Sequence, residues 1–137
     1  MIEKTYMDIA LEDYETAKDL SKMGRLNPSI RYIQQFVEKS LKHIICQNGD
    51  PSDERLLRTH NLPALAKRVE RILSVQYSKE DKNWFSILKS LYFNVSYPGD
   101  NYEDVDEERV QDALTWVQTF KILVQEQISE FGNSTGS

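Results

Sequence analysis

An all-α fold, an up-and-down bundle of four to five helices, follows from three observations. Apolar residues recur at three- and four-residue steps along most of the chain, the period of a helix with one buried face. Glycine and proline are scarce, five and four in 137 residues, and fall between the periodic stretches. The connections between those stretches are mostly short, so successive helices pack as antiparallel neighbours. The length suits a single domain with its own core, and 28% charged residues is ordinary for a helical protein.

The first helix is expected from about Glu3 to Met23, with Tyr6, Ala10, Tyr14, Ala17 and Leu20 as its stripe and Gly24 ending it. The second is the clearest. Asn27 is expected to cap it, Pro28 suits its first position, and Gly49 suits the left-handed residue beyond its end. Ile30, Ile33, Val37, Leu41, Ile44 and Ile45 form the stripe of a helix roughly 33 Å long. Pro51 stops it and opens a polar loop. Asn61 is expected to cap a shorter third helix with Pro63 in its first turn and Leu62, Leu65, Val69, Ile72 and Leu73 facing inward. The fourth starts at Ser78, with Asp81 in a capping-box-like place, carries Trp84, Leu88, Leu91 and Val95, and stops at Tyr97-Pro98-Gly99. An acidic stretch precedes the last helix, which holds Val110, Ala113, Leu114, Val117, Phe120, Val124, Ile128 and Phe131. The domain is expected to fill residues 1–131, with 132–137 as a disordered tail. Phe36, Trp116, Ile122 and Leu123 lie beside the main stripes and read either as a wider core or as a self-association surface.

Composition excludes some functions. The net charge of −5 gives no global field for nucleic acid, so such binding would need a local basic patch. The single cysteine, Cys46, rules out an intrachain disulfide, fits a cytoplasmic setting and reads as a small buried hydrophobe. The charged N-terminal stretch reads as neither signal peptide nor membrane span. The spacing of His43 and His60 offers no zinc site, and the acidic residues from Asp100 to Glu108 do not follow a calcium loop, so neither metal nor cofactor is expected.

Gln34, Gln35, Glu38, Lys39 and Lys42 make a polar strip on the second helix, with Glu38 and Lys42 in the favourable order for a helix pair. The strip reads as a solvated face or as a functional one. Arg55, Arg58, His60, Lys67, Arg68 and Arg71 make the middle of the chain basic. That charge either receives a phosphate, nucleotide or RNA backbone or is matched by the chain's own acids or those of a second subunit. Tyr32, Tyr92, Tyr97 and Tyr102 read as stacking surfaces or as core residues with a wet tip.

The stretch from Ala10 to Leu20, the run from Ile33 to Lys42, His60-x-Leu62-x-x-Leu65 and the run from Leu91 to Asp100 occur in this order. On those motifs the chain resembles the HEPN family, higher eukaryote and prokaryote nucleotide-binding domains. The resemblance implies a helical bundle, usually dimeric, in a family of RNase toxins, partners of minimal nucleotidyltransferases and non-catalytic nucleotide- or RNA-associated modules. Nuclease members carry an Arg followed by a His late in the bundle, one for phosphorane charge and one for proton transfer. Here the late segment reads Ser96-Tyr97-Pro98-Gly99-Asp100-Asn101-Tyr102, with Ser where many relatives have Arg and no His after it. Arg55 and His60 have the right spacing in the wrong part of the chain, which makes them weak catalytic candidates.

The sequence therefore points to a non-catalytic homodimeric module that binds a nucleotide or RNA or pairs with a nucleotidyltransferase, with Lys39, Lys42, His60, Tyr97 and Asp100 as ligand-binding candidates. The alternatives are a metal-independent RNase toxin of a toxin–antitoxin pair and a purely structural interaction domain.

Overall fold

The computed structural model describes residues 3–135 and is all-α. The long helices are α1 (Tyr6–Lys22), α2 (Leu26–Asn48), α3 (Leu62–Leu73), α4 (Lys79–Asn94) and α5 (Glu107–Thr135). The loop after α2 holds two single-turn 3₁₀ segments, Pro51–Asp53 and Leu56–Arg58. α5 runs past Gly132 to Thr135, beyond the expected domain end, and the final two residues of the expected tail lie outside the described ones.

α2 packs against α1, α3, α4 and α5 and is the centre of the bundle. Its contacts with α1 pair Met7 with His43, Asp13 with Lys39 and Ala17 with Ser29, so the two helices run antiparallel. Asp81 with Trp116 and Tyr77 with Gln127 show the same for α4 and α5. The α2 stripe is fully buried, together with Phe36. Trp116 is buried too and Leu123 partly so, whereas Ile122 is exposed; the extra apolar residues mostly widen the core.

The connection between α1 and α2 corrects one expectation. Gly24 is left-handed (φ 74°), and the Arg25 and Gly24 amides bond back to the carbonyls of Leu20 and Ser21, a Schellman closure. That turn is so tight that α2 starts at Leu26, with Arg25 at the cap and no side-chain capping bond. Asn27 is thus inside the first turn and free for another task. Its amide donates to the Glu103 carbonyl (3.0 Å), the Asp104 carboxylate and the Tyr102 hydroxyl (both 3.2 Å), and accepts from the Val105 amide (2.9 Å). One side chain ties the α4–α5 loop to the start of α2.

Other caps follow the sequence. Asn61 accepts from the Ala64 amide, Ser78 from the Asp81 amide, and Gly49 is left-handed at the end of α2. The Asp81 carboxylate does not complete a capping box; it accepts the Trp116 Nε1–H at 2.8 Å. Cys46 is exposed, contrary to expectation. At about 100° per residue the inward face passes through Ile44 and Ile45 and has turned away by the next position.

His43 accepts the Met7 amide through Nδ1, so the fold uses the uncharged ring, and burial lowers its pKa despite the nearby Asp8. A depressed folded-state value means that the unfolded chain takes up the proton first, so this stabilisation is present above the ordinary imidazole value of about 6.5 and is lost as pH falls below it.

Two outcomes are expected. Asn27→Ala removes the side-chain hydrogen bonds from Asn27 to the 102–105 loop and should cost about 1–3 kcal/mol in urea unfolding, since each net hydrogen bond contributes about 1 kcal/mol and these share one amide. Thermal melts from pH 7.5 to 5 should show stability falling with pH, and His43→Gln should flatten that fall.

Candidate functional site

The polar strip of α2 is not a solvated face. Gln34, Glu38 and Lys42 are buried, and they form one row at four-residue steps beginning at the buried Ile30. A row on one helix face must share the burial of its neighbours; α3 and α4 both pack against α2, and His60, just before α3, reaches the row with Tyr92 of α4 against its ring.

The Glu38 carboxylate organises the row. Its Oε1 accepts from Gln34 Nε2 at 3.0 Å and faces His60 Nδ1 at 2.8 Å, while Oε2 accepts from Lys42 Nζ at 3.0 Å. Gln35 in turn donates to Gln34 at 2.7 Å. The side chains of Glu38 and Lys42 are only 4% and 7% exposed, which makes this a buried ion pair on one helix. Desolvation costs several kcal/mol per ion and is offset only where the remaining lone pairs find partners. Gln34 and His60 supply them. An acceptor carboxylate sets His60 as the Nδ1–H tautomer and leaves Nε2 as the basic nitrogen of the neutral ring.

Lys39 takes another direction, bonding Asp13 of α1 at 2.6 Å. Lys42 and Lys39 are thus both engaged by carboxylates within the fold, and Lys42 is too deeply buried to present charge at the surface. Arg55 is exposed at the start of the second 3₁₀ turn, and no hydrogen bond or ion pair joins it to His60 among the described residues. Much of the basic middle is matched locally, Arg68 by Asp50 and Asp53 and Arg58 by Glu54, with acids from the preceding loop rather than from the stretch after Asp100.

From His60 the site continues along α4. The His60 ring lies against Tyr92, centroids 5.6 Å apart, and Phe93 packs on Tyr92 and on Tyr97. Burial pushes the Tyr92 phenol pKa up, with Tyr97 and Glu38 adding to the shift. Beyond α4 the chain turns through Gly99, whose φ of 137° is open to glycine and strained for other residues. The Tyr102 amide bonds the Gly99 carbonyl, and Phe93, Tyr97, Asp100 and Tyr102 line a groove of about 460 Å³. Phe93, Tyr97 and Tyr102 are 53%, 56% and 48% exposed, unusual for large aromatic rings grouped on one side. Tyr97 and Asp100 therefore meet in one groove, whereas His60 and Lys42 meet at Glu38.

Arg31 was missed by sequence reasoning. Its Nε is buried with no hydrogen-bond partner, as is the Ser96 hydroxyl, and its charge bears on both Tyr92 and Tyr102. Nothing in the local pattern marked it, because its setting is made by the distant loop after α4. Among the described residues no cluster of three or more His, Cys, Asp or Glu could hold a metal, and no helix is long and apolar enough to cross a membrane.

The burial of Glu38 gives a sharp expectation. Glu38→Ala strands the Lys42 ammonium and should cost about 3–5 kcal/mol in urea unfolding, against the roughly 0.3–0.5 kcal/mol of a solvated pair at this spacing. The double variant Glu38→Leu/Lys42→Met should recover most of that loss.

Comparison with known proteins agrees with this architecture. No curated protein and no solved structure gives a significant match. The sequence profile of the HEPN domain matches residues 4–127, from the start of α1 well into α5. The chain belongs to the HEPN domain family.

Proposed function

We propose that this chain is a non-catalytic HEPN module that works as a homodimer and binds a nucleotide or single-stranded RNA at the end of α4, or meets a minimal nucleotidyltransferase there. The observation that carries the reading is the group of exposed rings, Phe93, Tyr97 and Tyr102, around the Gly99 turn. Bases stack on such rings without sequence preference, and an exposed aromatic cluster also suits a subunit interface. The charge of Arg31 bears on Tyr102, one of these rings, and would supply a cation for a phosphate bound beside it. The reading is non-catalytic because the late segment offers neither Arg nor His beside the groove, and because His60 and Lys42 are both bound to Glu38.

One observation favours a second reading. A carboxylate that orients a histidine through Nδ1 is the arrangement of a general base, so Glu38 and His60 have the form needed by an RNase toxin. That reading requires growth arrest on expression, relieved by His60→Ala; normal growth with abundant protein contradicts it.

For the first reading, calorimetric titration with nucleotides and short RNAs should show binding at millimolar concentration or tighter. Tyr97→Ala should weaken it about tenfold, the lower range for one lost base–aromatic stack. No heat with any member of the panel overturns ligand binding. Light scattering should give a dimer, and a monomer at high concentration overturns that part.

A further inference from the structure

A second groove lies away from the Gly99 turn, between the first turns of α4 and the middle of α5, with a volume of about 480 Å³. Its wall is aromatic. Trp84 stacks on Trp116 with centroids 5.7 Å apart and ring planes 15° apart, and Trp116 stacks on Phe120 at 5.1 Å. The bond from Trp116 Nε1 to Asp81 fixes the inner indole, while Trp84 is half-buried and lines the groove. Glu80, Asp81 and Asp112 line the groove and no Lys or Arg does. Its α5 wall runs from Asp112 to Leu123, roughly 16 Å along the helix axis. That is the reach of about five residues of extended chain.

We propose that this groove binds a short basic segment of a partner polypeptide, with an arginine guanidinium stacked on Trp84 and paired with Glu80 or Asp112. A guanidinium is planar and weakly hydrated, so it gives up little on lying against an indole, the best aromatic face for a cation. The carboxylates add charge complementarity and repel phosphate backbones. The ligand class therefore differs from that proposed for the Gly99 turn, and neither reading depends on the other. The elongated shape selects a chain segment over a small cation.

The chain has two tryptophans, both in this groove, so intrinsic fluorescence reports on it directly. A short arginine-containing peptide should give a saturable fluorescence change that weakens with added salt. The same peptide with citrulline in place of arginine should give none. By anisotropy of the labelled peptide, Trp84→Ala and the surface change Asp112→Lys should each weaken binding about tenfold. No saturable change at millimolar peptide, or equal binding of the citrulline peptide, overturns the proposal. Binding of argininamide as tight as that of the peptide overturns the polypeptide occupant.

Discussion

A carboxylate buried in the middle of the central helix sets the terms for much of this structure. Glu38 lies among apolar residues on α2 and is tolerable only while Gln34, Lys42 and His60 satisfy it together. The partners arrive by two routes: Gln34 and Lys42 by helical spacing, and His60 only when the loop after α2 delivers the start of α3 to that point. Removing any one of these partners leaves part of a buried charge uncompensated, so the place of His60 at the entry to α3 is tied to the burial of Glu38.

That constraint extends toward the surface through rings rather than charges. His60 rests on Tyr92, and Phe93 links Tyr92 to Tyr97 at the Gly99 turn. From the other side Asn27 holds the same loop to the start of α2. The groove at the end of α4 is thus fixed at both ends to one helix, and α2 acts as the base on which a surface site is built. The late segment, where nuclease relatives place Arg and His, here presents tyrosines, a buried serine hydroxyl and a nearby Arg31.

Helix number, order and stripes were legible in the sequence because periodicity, glycine stops and side-chain caps are local signals. Asn27 shows where that legibility ends: its residue type suits a cap, but a tight turn moved the helix start past it, and its partners lie far along the chain. The burial of Glu38 and Lys42 had a local signal, their four-residue register with Gln34 and Ile30, yet charged residues are so often solvated that pattern alone favours the surface. Cys46 failed in the opposite sense, a residue of buried type just past the edge of the stripe. The family motifs drew attention to His60 and to the turn at Gly99. That the Glu38–Lys42 pair is buried, and that the charge of Arg31 bears on Tyr92 and Tyr102, depends on elements distant in the chain.

The central claim is that Glu38 fixes His60 through its Nδ1. Long-range proton–nitrogen NMR correlation of the histidine side chains at neutral pH tests this directly, with His43 as the second ring and His60→Gln for assignment. The account predicts that His60 is the Nδ1–H tautomer and that Glu38→Gln changes its ring nitrogen shifts while leaving those of His43 in place. A His60 ring that carries its proton on Nε2, or that does not respond to Glu38→Gln, would contradict it.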